Sequence, residues 1–482
     1  MPSGSIIWFV NQVARAIPER IISTLAYWYS RKAPKNIPIE PNVNIMLCNI
    51  ESSREAPVFI TDKAFSNDLR DWGALSQNIL IWDYNIQFTN FVSPFPNLFT
   101  IKPNIKFYTE NHVTALFMQA NNEPSAEMAL LRAYLISQLM WNPEADENAL
   151  INEFLDGYFG AAGPSLRKYI DAMQASLTKS GIRLSIFGDP IDAKEGYLSY
   201  EMVTLYNSLF DEAEKNVKDN EELLRRVQTA RLPLMYAQIQ IGRTEVDTPR
   251  SLFYKNEKGI IAVRKEMMAL VDTFVKRCQR DQISLLRERS GTPDHYLRSY
   301  QRIFDVVSNL GTNIAYGKKV IPLTPVAVRS KPAERLTDGL FASYESWQNA
   351  DQNWIQFTGQ HMEVVLDLEE IRPVNAIQLD FLNPQAQPDW HLFSLPKFVT
   401  YSLSKNGTDY DEVARLENPH NPNPIENPEI KSLSILPFRY TFNTPANTRY
   451  IKIHAESWLK SPGWHIRSGS PFSIYCDQLV VT

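Results

Sequence analysis

The chain has 482 residues, 49 Lys+Arg against 54 Asp+Glu for a formal net charge of −5, and 44% hydrophobic with 11% aromatic residues. This near-neutral balance, with no basic block, excludes the electrostatic footprint of a nucleic-acid binder and a polybasic membrane anchor. No apolar stretch reaches the ~20 residues that a spanning helix needs, because Ile21–Tyr29 is short and flanked by Arg20 and Arg31. A soluble protein of roughly two to four domains is expected. Cys48, Cys278 and Cys476 lie far apart, with no CxxC or Cys/His metal spacing, so buried free thiols are expected and the redox compartment stays open. Ser5–Val13 is followed by Arg15, Glu19 and Arg20 instead of a small-residue cleavage site, so no signal peptide is visible. Either the chain is cytoplasmic or its true start lies upstream.

Residues 1–123 alternate short apolar runs with helical or loop segments. Ile21–Tyr27, Val43–Asn49, Ile79–Tyr84 and Val113–Gln119 read as strands buried on both faces, with helical pieces such as Ser5–Ala16 and Lys63–Leu75 between them. A parallel sheet with helices outside is predicted. From Pro124 to about Gly317 the period becomes helical. Met202, Leu205, Tyr206, Leu209, Phe210 and Ala213 form one core stripe, and Ile260, Val263, Met267, Leu270, Val271 and Phe274 form another. Gly160, Gly163 and Pro164 separate two helices, and five to seven helices are expected over this stretch. Residues 318–334 hold three prolines and no helical period, which predicts a linker. Beyond it, Met362–Leu368, Ala376–Phe381, Lys397–Ser404, Tyr440–Phe442, Tyr450–Ala455 and Ile474–Val481 are short alternating runs split by turn residues, the pattern of a sandwich or jelly roll. His420–Pro428 reads as a long polar loop.

The four early strands end in Tyr27-Trp28-Tyr29, Asn49-Ile50-Glu51, Trp82-Asp83-Tyr84 and Gln119-Ala120-Asn121-Asn122-Glu123. In a parallel sheet or barrel such ends collect on one face, where active sites form. Glu51, Asp83 and Glu123 are therefore candidate catalytic carboxylates, with Tyr27, Trp28, Arg54, Trp82, Tyr84 and Asn122 as candidate substrate contacts. Rings that stack on sugar faces, together with two acids for proton transfer and nucleophilic or base work, suit glycan chemistry. Each acid also has a plain structural reading. Glu123 precedes Pro124 at a helix start, where an acid complements the helix dipole, and Glu51 sits three residues before Arg54 as a candidate ion pair. Asp83, inside an apolar run, is harder to read as solvated surface.

The segments FVNQVARAIPERIISTLAYWYSRKAP, NVNIMLCNIESSREAP, ILIWDYNIQFTNFVSPFPNL and LLRAYLISQLMWNPEADENALINEFLDGYFG resemble the second half of an uncharacterised bacterial family of TIM-barrel glycoside hydrolases, related to alpha-glucuronidases. The resemblance covers about residues 1–180. It implies that the four strands are barrel strands five to eight and that Glu51 and Asp83 match the general-base positions on late strands. Such enzymes usually carry their catalytic acid on strand four, ahead of this chain's first helix. The resemblance thus implies a truncated product, a fragment, or half of an assembly completed by self-association or a complementing chain at the half-barrel edge. Relatives are exported, which implies a periplasmic or extracellular location.

Leu336-Thr337-Asp338-Gly339 with Trp347 downstream, Tyr450-Ile451-Lys452-Ile453 leading into Trp464-His465, and Asp477-Gln478-Leu479 resemble a coagulation-factor-five/eight type C (discoidin) domain over residues 335–482. The resemblance implies a jelly roll that binds carbohydrate and a structural calcium held by Asp338 and Asp477, since calcium takes carboxylate and carbonyl oxygens. Gln478 stands where many relatives have glutamate, so that ligand is neutral or lost here. Trp347, Trp354, Trp390, His391, Trp458, Trp464 and His465 are candidates for stacking and hydroxyl contacts. Trp354, inside the apolar run WIQF, reads best as core, while Trp390-His391 and Trp464-His465 lie in loops and read best as ligand contacts. No zinc spacing, G-x-G-x-x-G, P-loop, G-x-S-x-G or H-E-x-x-H occurs. No catalytic cofactor is expected.

The expected fold is multidomain α/β plus all-β: a partial (β/α)8 barrel (second half) over 1–123, a helical domain over 124–317, a linker over 318–334 and a β-sandwich jelly roll over 335–482. The expected function is glycan processing as part of a glycoside hydrolase. The rival is a non-catalytic carbohydrate-binding protein with an inactive barrel, and a structural helical adaptor is the third reading.

Overall fold

The computed structural model describes residues 2–120, 126–288, 291–328, 330–342, 353–383, 392–420 and 434–482. Two compact units emerge, one of Met1–Gln238 with Lys276–Pro293, the other of Ile239–Val275 with Asp294–Thr482. The helices of residues 124–317 are thus divided between the units.

The first unit opens with α1 (Pro2–Ala16), β1 (Ile22–Ala26), β2 (Val43–Cys48), α2 (Val58–Thr61), α3 (Lys63–Leu75), β3 (Ile79–Tyr84), α4 (Ile101–Glu110) and β4 (Val113–Gln119). The strands form one parallel sheet in the order β1-β2-β3-β4, as the βα rhythm predicts. Ile7, Val10 and Ala14 of α1, Phe65, Leu69 and Trp72 of α3, and Phe107 and Tyr108 of α4 cover one face. They bury Ala26, Val43, Ile45, Leu47, Ile79 and Ile81. Asp62 starts α3 by accepting the Phe65 N–H at 2.8 Å.

Then follow α5 (Ala129–Trp141), α6 (Glu147–Phe159), α7 (Gly163–Ser180), α8 (Tyr200–Asn216), α9 (Glu221–Ala230) and α10 (Leu232–Gly242), which crosses into the second unit at Ile239. Gly160, at φ +55°, ends α6 and Pro164 opens α7. In α8 the buried stripe is Val203, Tyr206, Leu209, Phe210 and Ala213, whereas Leu205 is 42% exposed. The expected stripe therefore sits slightly off the true core face. Within α5, Arg132 is buried against the buried Glu127 at 3.1 Å and also donates to Asn97 Oδ1 and Phe95 O.

The second unit contains β5 (Phe253–Lys255) and β6 (Ile261–Val263), then α11 (Lys265–Arg280), which straddles the boundary, and α12 (Pro293–Asn309). The helical stripe expected from Ile260 is corrected here, because Gly259 at φ +73° turns β5 into β6 as a hairpin and the helix starts only at Lys265. Eight helices are described between 124 and 317 instead of five to seven. Asn220, by capping α9 through the Leu223 N–H, and Pro233, at the start of α10, restart the helix where the periodicity reads through.

The all-β part has β7 (Lys319–Pro322), β8 (Ile355–Thr358), β9 (Met362–Asn383), β10 (Phe398–Ser404), β11 (Asp411–Glu417), β12 (Ser434–Ala455) and β13 (Ser473–Val481). The expected linker thus contains a strand. β7 pairs antiparallel with β9, its Val320 buried and its Pro322 at the strand end, where a missing N–H is tolerated. The remaining strands run β11-β10-β12-β9-β13-β8, all antiparallel. β9 and β12 are 22 residues each and pair along their length, with register shifts between Thr441/Ala446 and Thr448/Tyr450. Each replaces two shorter expected strands. The buried phase of β9 runs Met362, Val364, Leu366, Leu368 and then switches to Ile377, Leu379, Phe381, yet both halves enter one core. The sheet therefore folds back over itself at the irregular pairs, which bend and twist strands.

Candidate functional site

Side chains alternate across a strand, so the sheet face turned away from α1, α3 and α4 is set by register. Leu25, Met46, Leu80 and Ala115 align in one row of that face, and Cys48, Trp82 and Phe117 in the next, which Tyr27 extends beyond β1. Leu25 is 47% and Phe117 46% exposed. Among the described residues, β1 pairs only with β2 and β4 only with β3.

At the C-terminal ends of the strands this face becomes a cluster of rings. Tyr27 stacks on Trp28 (5.2 Å, 10°) and Trp82 on Tyr84 (5.4 Å, 13°). Phe117 tilts against Trp82, and Phe88 meets Tyr84 edge-on and joins Phe187. Trp82 Nε1 donates to Gln119 Oε1 at 2.8 Å, which fixes its ring plane. Trp28, at φ +49°, and Phe187 are 59% and 51% exposed, whereas Tyr84 is buried. Burial raises the Tyr27 hydroxyl pKa, with Cys48, Glu51 and Glu288 adding to the rise. Burial likewise pushes the Cys48 thiol up to about 12. The hydroxyls and the thiol under the rings are therefore neutral hydrogen-bonding groups.

The sequence-expected carboxylates part company. Glu51, in the turn after β2, keeps an exposed side chain and pairs with Arg31 at 3.1 Å instead of Arg54. Asp83 shares the phase of Ile79 and Ile81, so it points to the helix side and is 1% exposed. Its Oδ1 accepts from Asn49 Nδ2 (2.8 Å) and the Tyr84 N–H (2.8 Å), and its Oδ2 accepts from Tyr108 Oη (3.0 Å). Arg54 Nη2 stands 3.6 Å from Oδ1. Arg54, 2% exposed, also donates to Tyr84 O (2.6 Å), Ser52 O, and both Asn49 O and Oδ1. Asp83 and Arg54 thus tie the end of β3 to the turn after β2, away from the rings. Asn122 and Glu123 lie outside the described residues. Glu288, which sequence reading missed, comes from a distant segment whose N–H donates to Phe88 O at 2.9 Å. No local pattern marks it.

In the second unit, Trp354 is buried with Ala342, Leu382 and Phe393. Trp347, Trp390, His391 and most of the expected polar loop after His420 lie outside the described residues. His465 is buried beside Phe472, its Nδ1 accepting the Arg467 N–H at 3.0 Å, while Trp464 is half-buried. A polar cluster absent from the sequence reading surrounds Glu456. His361 Nδ1 and His454 Nε2 lie 3.1 and 3.2 Å from Glu456 Oε2, and Lys397 Nζ sits 4.9 Å from the Trp458 ring centre. The expected calcium does not fit at Asp338. Asp338 Oδ1 accepts from the Leu340 N–H and from Gln478 Nε2, and Asp477 Oδ2 accepts from the Ala342 N–H. Among the described residues, no three His, Cys, Asp or Glu groups gather as metal ligands. The three cysteines are buried and free, and no described helix is long and apolar enough to cross a membrane.

Residues 1–171 match the family described as "Domain of unknown function (DUF4838)". No curated protein matches the chain. Solved structures similar to it include a chitosan-binding module from a chitosanase/glucanase of Paenibacillus sp. IK-5 (14% identity, 36% of this chain and 98% of that one, TM-score 0.21). A fucose-binding module of Streptococcus pneumoniae shares 19% identity over 35% of this chain and 94% of that one, at TM-score 0.22. A family 32 carbohydrate-binding module of C. perfringens NanJ, in complex with galactose, shares 16% identity over 34% and 93%, at TM-score 0.22.

Proposed function

We propose that this protein binds glycan and that the ring cluster at the C-terminal ends of β1–β4 is a sugar platform. The observation that carries the reading is the pair of near-parallel stacks, Tyr27 on Trp28 and Trp82 on Tyr84, with Trp28 open to solvent. Flat exposed rings suit apolar sugar faces, and the neutral Tyr27 hydroxyl suits sugar hydroxyls. The Trp458, His361, His454 and Glu456 cluster and Trp464 offer the second unit the same combination of ring and polar groups. Affinity electrophoresis of the native protein against a panel of soluble polysaccharides tests this. Retardation that is lost in Trp28→Ala supports the platform, and a wild-type protein that no glycan retards overturns it.

A second reading is glycoside hydrolysis, with Glu51, in the turn after β2, and Glu288, whose backbone N–H donates to Phe88 O in the ring cluster, as the candidate acids. In it, one carboxylic acid protonates the glycosidic oxygen while the other carboxylate attacks the anomeric carbon or activates water. The parallel order of β1–β4, their open aromatic face and their outer edges, unpaired among the described residues, support the further proposal that they form half of an eight-stranded barrel, completed by self-association or another chain. Export to the periplasm or the cell exterior belongs to the same reading. Product release from a labelled glycan, absent in Glu51→Gln and Glu288→Gln, tests hydrolysis. Native mass tests completion, because a monomer with no added chain leaves only the binding function. Cell fractionation tests export.

A further inference from the structure

A calcium site needs several oxygens converging on one point, each roughly 2.3–2.6 Å from the ion. Around Asp338 two oxygens do converge, but on a nitrogen. Gln478 Nε2 donates to Arg335 O at 2.6 Å and to Asp338 Oδ1 at 2.8 Å, while Gln478 Oε1 accepts the Gly339 N–H at 2.8 Å. The three partners fix the amide's orientation, because a flipped amide would set oxygen against two oxygens and an N–H against an N–H. Both amide hydrogens are used and Gln478 is 2% exposed. The charge of Asp338 is met separately by Arg335, whose Nε lies 2.9 Å from Oδ2. Gly339 holds φ +81°, and a Cβ there would stand 2.7 Å from the Tyr316 ring, so the turn that aims its N–H at Gln478 requires glycine.

We infer that the Gln478 side-chain amide, with the Arg335 guanidinium, takes the place of a divalent cation and locks the Asp338 turn to β13 without metal. An ion and the amide would compete for the same two oxygens, so the site cannot hold both. Gln478 is then the residue that sets metal independence. Exchanging its amide for a carboxylate removes the donor and adds an anionic oxygen beside Asp338 and Arg335 O, which is the composition a hard cation takes.

The test is thermal unfolding of the full chain in EDTA and in millimolar calcium chloride, with calcium titration calorimetry, on wild type, Gln478→Glu and Gln478→Met. Wild type is expected to melt at the same temperature in both solutions and to give no binding heat at this site. Gln478→Glu is expected to melt on the order of 5 °C lower in EDTA, from two buried acceptors losing their donor, and to recover in calcium. Gln478→Met is expected to be lowered equally in both. A wild-type protein that binds calcium with a rise in melting temperature overturns the inference. So does Gln478→Met melting like wild type, or Gln478→Glu folding without any response to calcium. If Gln478→Glu does not fold, the wild-type and methionine arms decide.

Discussion

The two faces of the four-stranded sheet are built from the same strands yet obey different rules. Toward the helices the face is mostly apolar, and its buried carboxylate, Asp83, is fully partnered, with three donors between 2.8 and 3.0 Å. On the opposite face, apolar and aromatic residues stand in rows with half of their surface open at Leu25 and Phe117. Strands of a parallel sheet are ordinarily covered on both sides. The lesson is that phase along a strand separates a residue that holds the fold from one that can meet a ligand, even when they are neighbours such as Trp82 and Asp83.

The comparison breaks most visibly at the acids. Asp83→Ala strands Arg54, Tyr108 and Asn49 in the interior and is expected to cost about 3–5 kcal/mol. Glu51→Ala, on an exposed turn, should change stability by no more than about 0.5 kcal/mol. Urea titration of both reads the difference, and equal losses would place the two acids in one environment. Leucines give a matched pair. Leu47, fully buried against the helices, should cost about 2–5 kcal/mol when cut to alanine, and Leu25 less than about 1 kcal/mol; an equal cost would mean the second face is covered in solution. Trp28→Ala should leave the melting curve unchanged while weakening glycan retention by about tenfold, near the energy of one lost ring contact.

The smallest effect concerns Cys48. It faces the ring side but is roofed by the rings, and its pKa of about 12 exceeds the ordinary value of 9. The unfolded chain therefore loses this proton first. Between pH 9 and about 12 the unfolded state binds fewer protons than the native one, so this thiol's contribution to stability falls as pH rises and is constant below that window. Alkylation at pH 8 should be slow in the native protein and fast in urea; fast native labelling would mean the roof opens.

Strand positions in the first unit were legible because buried parallel strands are continuous apolar runs, and Ile79–Tyr84 and Val113–Gln119 coincide with the observed ends. The face of Asp83 could be read too, by counting in twos from Ile79, but strand ends treated as a single rim hide it. The Arg54 network was not legible, since it depends on Tyr84 O and Asn49 O, backbone atoms that any sequence would supply. Glu288 was out of reach because sequence distance conceals it. In the second unit the alternation of β9 and β12 was visible, but their continuity through the irregular pairs was not, because Pro373 and Pro445 look like strand breaks. Gln478 was visible as a departure from glutamate, and its geometry turns that departure into a lock.

The length of β9 and β12 also shapes how the second unit can assemble. Their near ends, at Asn383 and Ser434, are 51 residues apart in sequence, while Asp367 and Arg449, further along the same ladder, are separated by 82. Closing the shorter loop first shortens what remains to be closed, so pairing can advance along the ladder in the manner of a zip, each step cheaper in chain entropy than an independent encounter. With separations this large, folding of this unit should belong to the slow, high-contact-order regime, and it is the near end of the zip, next to residues 384–391 and 421–433, that would set its pace.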